Sequence, residues 1–365
     1  MKDGDEKRFM TRALGLARRG VGLTHPNPMV GAVVVREGRI YGEGWHRGPG
    51  EPHAEAVALE MAGEAARGST LYVTLEPCDH HGRTPPCTEA ILKAGVVRVE
   101  IACEDPHPLV RGKGLRRLRD AGIEVKTGLG RTQAEEINRA FLHFARENVP
   151  YVTLKLATTL DGRTADASGN SRWITGERAR LAVHRLRSQV DAVLVGAGTV
   201  LADDPLLNVR GIRGGGQPLR VVLDPELRIS PASRIVGEAS DGRTIVFVRR
   251  GIAVSKKRVF EERGVRFFTL PVRSGIFGWN DMAACLVDLG VLHLLVEGGA
   301  QTATWFLARS AVRRVELFLA MKLLGDTGLP SVMDLHVAGL GNAVSFDLRG
   351  CRVVGEDVRI TADAR

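Results

Sequence analysis

Residues 74–87 read Thr74-Leu75-Glu76-Pro77-Cys78-Asp79-His80-His81-Gly82-Arg83-Thr84-Pro85-Pro86-Cys87, and upstream of them stands Pro52-His53-Ala54-Glu55. His53, Cys78 and Cys87 together supply three ligands suited to one Zn²⁺ per chain. Three protein ligands leave a fourth tetrahedral position open for water, which marks a catalytic rather than a structural site. There the metal makes hydroxide available near neutral pH. Glu55 need not bind metal and is placed to shuttle a proton. The local pattern carries the fold. Leu71 to Leu75 reads as a buried strand ending at Glu76-Pro77-Cys78. Pro86-Cys87 opens a helix that stops at Gly95, proline being tolerated at such a start. Pro52 to Glu55 opens another helix through Met61. Two helix N-termini then face the thiols and favour their ionised form.

Composition sets the outer bounds. The chain has 365 residues, room for two domains, and a hydrophobic content of 44% that fits ordinary globular cores. No apolar run of about 18 residues stands out, so no membrane helix is expected. The charged start, Met1 to Glu6, leads into an amphipathic helix without an apolar signal core. A cytoplasmic enzyme is expected. Five cysteines, odd and few, argue against a disulfide framework; Cys103, Cys285 and Cys351 read as core thiols. The net charge is +9, but the basic residues are scattered. This favours a small anionic ligand over nucleic acid, since no compact basic stripe with interleaved aromatics occurs.

Outward from the quoted stretch, helices and strands alternate. Lys7 to Arg19 reads as a helix, Gly31 to Arg36 as a strand with a turn at Gly38, and Val97 to Cys103 as a strand. Arg111 to Ala121 reads as a helix, Ile123 to Val125 as a short strand, and Gln133 to Arg146 as one further helix. The pattern predicts an α/β fold: a three-layer α/β/α domain over residues 1–149 with a mostly parallel central sheet. Pro150 follows a polar helix end and marks the boundary. Residues 150–365 alternate again, with strands at Tyr151 to Leu156, Asp191 to Val195, Arg220 to Leu223, Thr244 to Val248, His293 to Val296 and Val315 to Ala320. A helix is predicted from Thr302 to Arg309. Gly196-Ala197-Gly198-Thr199 and Gly298-Gly299-Ala300 stand where strands hand over to loop or helix, as phosphate-binding turns do. Neither is the spaced Gly-x-Gly-x-x-Gly fingerprint.

His-x-Glu followed by Pro-Cys and a second Cys is the pattern of zinc nucleobase deaminases. The longer motifs narrow it. Thr24-His25-Pro26-Asn27-Pro28-Met29-Val30-Gly31, Gly50-Glu51-Pro52-His53-Ala54-Glu55 and the quoted 74–87 stretch resemble the bacterial bifunctional riboflavin biosynthesis proteins, a pyrimidine deaminase fused to a reductase. Eight residues separate the two cysteines here, where the general deaminase signature has only two. In the second half, Lys155 to Arg163, Ser171-Arg172-Trp173-Ile174-Thr175, Gly198 to Pro205 and Glu297-Gly298-Gly299 resemble the reductase of that family.

The resemblance implies a cytidine-deaminase-like domain followed by a dihydrofolate-reductase-like α/β domain that uses NADPH. It implies deamination of 2,5-diamino-6-(5-phosphoribosylamino)pyrimidin-4(3H)-one and then reduction of the ribosyl group. It gives Glu55 the proton transfers, Asn27 a pyrimidine edge, and His46, His80 and Arg83 the substrate phosphate. Ala157, Trp173, Thr199 and Asp203 fall to NADPH, with Gly298, Gly299, Ala300, Gln301, Thr302, Ala303 and Thr304 as its phosphate turn. Lys155, Ser171, Arg187, Leu207, Arg210 and Glu297 fall to the reductase substrate, with Lys155, Asp203 and water all open as proton donor. The family often forms homo-oligomers. One departure is Asp105-Pro106-His107-Pro108, where relatives carry Asn at the third position. Two rival readings remain: a nucleic-acid (tRNA) deaminase with an accessory C-terminal domain, and a non-catalytic zinc scaffold, which the intact Glu55 opposes.

Overall fold

The computed structural model describes residues 3–365 except 82–84, 108, 109 and 274. It divides into two compact units, Met1–Asn148 and Val149–Arg365.

In the first unit the order is α1 (Asp3–Ala17), β1 (Gly31–Arg36), β2 (Arg39–Trp45), α2 (Ala54–Ala62), β3 (Thr70–Val73), α3 (Cys87–Ala94), β4 (Arg98–Ile101), α4 (Lys113–Asp120), β5 (Glu124–Thr127), α5 (Arg131–Ile137) and α6 (Arg139–Glu147). The sheet runs β2-β1-β3-β4-β5. Side chains of β1 alternate between its faces, as the strand period requires. Ala32 and Val34 pack with α2, α3 and α4, while Val33 and Val35 pack with α1, α5 and α6. This is the expected three-layer α/β/α arrangement.

Two expectations are corrected here. Only β3–β4 and β4–β5 pair in parallel; β1 is antiparallel to both β2 and β3, so the sheet is evenly mixed. The cause is a hairpin through Glu37-Gly38 into β2, whose Gly42 and Gly44 hid it from a reading by β-propensity. Those glycines are required for close approach. A Cβ at Gly42 or Gly44 would fall 1.9 or 2.1 Å from the carbonyl oxygens of Ala58 and Ala54, so α2 lies directly on β2. Second, the single helix expected over 133–146 is two helices that meet at Asn138, whose φ of −102° and ψ of 16° leave the helical region.

The second unit contains β6 (Tyr151–Thr159), β7 (Arg163–Ala165), α7 (Glu177–Arg187), β8 (Ala192–Gly196), α8 (Ala197–Asp203), β9 (Leu219–Leu223), α9 (Arg234–Gly237), β10 (Thr244–Arg249), α10 (Val254–Glu261) and β11 (Arg266–Leu270). It continues with β12 (Val272–Arg273), β13 (Ile276–Phe277), α11 (Trp279–Asp288), β14 (His293–Val296), α12 (Ala300–Leu307), β15 (Val312–Ala320), β16 (Leu329–Pro330), β17 (Phe346–Val354) and β18 (Asp357–Ala364). Its main sheet runs β11-β10-β9-β8-β14-β6-β15-β18-β17. From β11 to β15 every neighbouring pair is parallel, and β18 and β17 close the edge as an antiparallel hairpin. Parallel sheets need cover on both faces. Val193 and Val195 of β8 join a core with α7 to α10, and Ala192 and Leu194 join the opposite core with α11 and α12. Cys351, expected in a core, is exposed on the edge strand β17; Cys103 is buried and Cys285 half-buried.

Candidate active sites

In the first unit, β3 delivers Cys78 from its C-terminal loop, α3 begins at Cys87, and α2 begins just after His53, which stands at its N-cap in extended backbone. His53 Nδ1 lies 3.1 Å from Cys87 Sγ and 3.5 Å from Cys78 Sγ. All three ligand atoms fall within 4.8 Å of one another. A hydrogen bond between the two free thiols pushes Cys78 down and Cys87 up, and His53 is raised by its hydrogen bond to Cys78. One imidazole nitrogen and two sulfurs converging on a single point is a donor set that fits zinc. Glu55, in the first turn of α2, is 3% exposed. Burial pushes its carboxyl up to about 6, against the pull of His53.

Asn27 and His46 sit beside this cluster. Asn27 Nδ2 is 3.0 Å from His46 Nε2, and the His46 ring stands edge-on to His53 with centroids 5.4 Å apart. A cavity of about 360 Å³ opens between Pro52, His53, Pro86 and Cys87. His80 is exposed on the loop after Cys78, and Arg83 lies outside the described residues. His107 holds its own turn: its N–H donates to Asp105 Oδ1 at 2.8 Å.

Sequence reasoning missed the braces of this site. Buried Glu76, next but one to Cys78, accepts the N–H groups of Asp105, Gly112 and Leu115 at 3.3, 3.2 and 3.5 Å, so it caps the start of α4 and fixes the strand end. Asp79 accepts Thr88 Oγ1 and Arg117 Nη1, both at 2.6 Å, closing the loop between the cysteines. The available signal was an acidic residue at the end of an apolar strand, which needs donors from elsewhere.

In the second unit a cavity of about 1200 Å³ opens at the C-terminal ends of β6, β8 and β14, where parallel sheets bind ligands. It brings together Lys155, Ser171, Arg187, Leu207, Arg210 and Glu297. Ala157, Trp173, Thr199 and Asp203 line it too, as do Gly298, Gly299, Ala300, Gln301 and Thr302. Ala303 and Thr304 do not: Ala303 is buried in the core, and the Thr304 hydroxyl accepts Met333 N–H at 2.7 Å. Trp305, three residues after Thr302, returns to the cavity instead, as the helical turn requires. Gly298 and Gly196 have a steric cause, since a Cβ on Gly298 would fall 2.4 Å from Thr302 Cβ and one on Gly196 2.6 Å from Thr302 Oγ1, whereas Gly198 and Gly299 have room for one. Gly299 N–H donates to Thr199 Oγ1 at 3.1 Å, tying the two glycine turns together.

At the floor of the cavity Arg187 grips Glu297, Nε to Oε1 at 2.6 Å and Nη2 to Oε2 at 3.0 Å, and Lys155 Nζ lies 3.8 Å from Oε2. Burial lowers Lys155; burial would raise Glu297, but Arg187 and Lys155 outweigh it and hold the carboxyl below its usual value. Arg187 Nη1 also donates to Asn208 O at 3.2 Å. Its guanidinium is therefore largely committed to positioning, and the exposed Arg210 is the more available cation. Ser171 Oγ donates to Asp203 Oδ1 at 2.8 Å. Trp173 is 64% exposed, with the Arg180 guanidinium 4.3 Å from its ring centroid.

Comparison with known proteins identifies the family of both units. Residues 3–103 match the family described as the cytidine and deoxycytidylate deaminase zinc-binding region, and residues 150–360 match the RibD C-terminal domain. The riboflavin biosynthesis protein RibD of Aquifex aeolicus is 44% identical over 97% of this chain and 97% of its own. The chain belongs to the RibD family. RibD of Escherichia coli strain K12 is also 44% identical, over 96% of this chain and 97% of its own. Acinetobacter baumannii RibD superposes with a TM-score of 0.90 at 37% identity, covering 99% of both chains. A Thermotoga maritima diaminohydroxyphosphoribosylaminopyrimidine deaminase/5-amino-6-(5-phosphoribosylamino)uracil reductase superposes at 0.84 with 34% identity, again over 99% of both. As a RibD, the protein is a bifunctional enzyme of riboflavin biosynthesis, a zinc deaminase joined to an NADPH-dependent reductase. The tRNA-deaminase reading falls away, because the second half matches the RibD reductase. Among the described residues no helix is long and apolar enough to cross a membrane.

Proposed function

We propose that residues 1–149 deaminate 2,5-diamino-6-(5-phosphoribosylamino)pyrimidin-4(3H)-one with release of ammonia. Residues 150–365 then reduce the ribosyl group of the product, giving 5-amino-6-(5-phosphoribitylamino)uracil. The observation that carries this reading is the convergence of His53, Cys78 and Cys87 beside buried Glu55.

His53 Nδ1 and the two Sγ atoms would hold the metal. Zinc, when bound, supplies the Lewis acidity that brings the pKa of water towards neutrality. Glu55 accepts the proton of the attacking water and passes it to the ring nitrogen, then takes the second proton, from the hydroxyl left on the ring, and passes it to the departing amine. Asn27 holds the pyrimidine edge; His46, expected at the phosphate, instead bonds Asn27 and so serves the pyrimidine end, leaving the phosphate to His80 and Arg83. In the reductase unit, the backbone N–H groups from Gly298 to Thr302, with Thr199, receive the cofactor phosphates. Ala157, Trp173 and Asp203 complete that contact. NADPH, when bound, supplies the hydride. Lys155 faces the ribose with its ammonium oriented by Glu297, while Ser171, Leu207 and Arg210 shape the substrate end. The enzyme works in the cytoplasm, where thiolate ligands stay reduced. It acts as a homo-oligomer, a reading supported by the exposed Leu348 and Val353 on the edge strand β17.

The test is a coupled assay on purified, zinc-analysed protein supplied with the diaminopyrimidine ribosyl phosphate, following ammonia and NADPH separately. Ammonia release followed by NADPH oxidation is expected. NADPH loss from the first substrate without ammonia would refute the proposed order.

A further inference from the structure

Asn138 sits where α5 meets α6 and is 2% exposed. Asparagine is a poor residue for a helix interior, because its amide competes for backbone partners. Here both ends of that amide are spent on one residue far away in the chain. Oδ1 accepts Met29 N–H at 2.8 Å, and Nδ2 donates to Met29 O at 2.9 Å. Met29 closes the segment Pro26-Asn27-Pro28. Neither proline has an amide hydrogen, and Pro28 restricts Asn27 to extended backbone. The segment therefore has few bonds of its own beyond Asn27 N–H to Thr24 O at 2.8 Å.

The opposite flank is held by His46. Its N–H reaches Val30 O at 3.0 Å, and its Nδ1 lies 3.3 Å from Pro52 O, the residue before His53. One tautomer satisfies every contact: Nδ1–H donates to Pro52, and Nε2 accepts from Asn27 Nδ2 at 3.0 Å. With its nitrogen so used, Asn27 offers Oδ1 as an acceptor for a pyrimidine N–H.

We propose that Asn138 is a positioning residue for deamination, fixing where Asn27 Oδ1 stands relative to His53 and Glu55. The inference rests on the reading above in which Asn27 holds the pyrimidine edge. It makes the α5–α6 break a part of the site rather than a fault in a helix.

The experiment uses the full-length, zinc-loaded enzyme as Asn138→Ala, Asn138→Asp, Asn27→Ala and the Asn27→Ala/Asn138→Ala pair. Deamination kcat and KM, zinc content, melting and NADPH oxidation are measured for each. Asn138→Ala is expected to raise KM about tenfold and change kcat less than about threefold, as for one or two lost hydrogen bonds. In Asn138→Asp, burial and the facing Met29 O favour the protonated acid, which keeps the bond from Met29 N–H and can donate to Met29 O, so this variant falls between. In the Asn27→Ala background the Asn138 change adds under about twofold, because both act through one group. Zinc content and NADPH oxidation stay at parent values. If Asn27→Ala raises KM while both Asn138 variants keep the parent KM, this inference alone is overturned. An inert Asn27→Ala overturns the reading of Asn27 and the inference with it. Loss of zinc or of the melting transition in parallel with KM, unrelieved in Asn138→Asp, assigns Asn138 a purely structural role and also overturns it.

Discussion

Glu297→Gln is the sharpest probe of the reductase site. The Glu297 side chain is 5% exposed, accepts two bonds from Arg187 at 2.6 and 3.0 Å, and faces Lys155 Nζ at 3.8 Å. An amide preserves the shape but removes the negative charge, leaving two buried cations opposite each other. Breaking a buried pair in this way costs about 3–5 kcal/mol. For a unit of this size each kcal/mol moves Tm by about 2–4 °C, so the reductase transition should fall by about 6–20 °C. The assay is scanning calorimetry, with residual NADPH oxidation after heating identifying the reductase transition. Adding Arg187→Leu to Glu297→Gln should restore much of the loss, because an uncompensated cation leaves with it. The pH dependence has a definite sign. Burial pushes Glu297 up, but Arg187 and Lys155 hold it below 4.5 when folded, so its stabilisation is fully present above pH 4.5 and is lost as pH falls below it. The gap between parent and variant should therefore narrow in acid. A Tm change under about 2 °C, or a double variant as unstable as the sum of the singles, would refute the buried-pair reasoning.

Glu55→Gln should keep zinc, whose ligands are untouched, while ammonia release falls by at least about a hundredfold; full turnover in that variant removes Glu55 from the chemistry. Cys78→Ala should lose zinc and ammonia release together, measured by metal analysis, while NADPH oxidation stays within about twofold of the parent. Lys155 is pushed below 10.5 by burial. Lys155→Met should therefore raise the reductase Tm by about 2–4 °C, as for roughly 1 kcal/mol, while NADPH oxidation collapses. A lower Tm in that variant would show that its contact with Glu297 more than offsets its burial.

The metal cluster was legible because its information is local: a thiol at a strand end, a thiol at a helix start, and an imidazole at another helix start. Each position follows from a short pattern, and ligand chemistry then joins them. The braces were not legible, because their partners are remote. Glu76 is satisfied by amides 29 to 39 residues away, and Asn138 by one 109 residues away. No periodicity carries such pairings. The α5–α6 break was read through because Gln133 to Arg146 keeps a helical apolar period across it. Strand β2 failed for the opposite reason: its glycines lower propensity while serving contact with α2. The glycine turns of the second unit looked ambiguous as sequence. The structure gives Gly298 and Gly196 a steric cause in Thr302, whose side chain fills the space a Cβ on either would need.

The two units treat a buried carboxylate in opposite ways, and the difference follows from its task. Glu55 and Glu297 both lie deep in their sites. Around Glu55 the neighbours are thiols and an imidazole, and burial pushes its carboxyl up to about 6. Around Glu297 a bidentate guanidinium and an ammonium outweigh the same burial and hold it ionised. A proton carrier must hold and release its proton near neutral pH. A group that orients Lys155 must not take one up. The same Glu→Gln change should thus leave two different marks: at Glu55 it removes turnover with a stability change within about 1 kcal/mol, and at Glu297 it removes several kcal/mol of stability. Two variants with the same mark would mean that the environments do not divide the labour in this way.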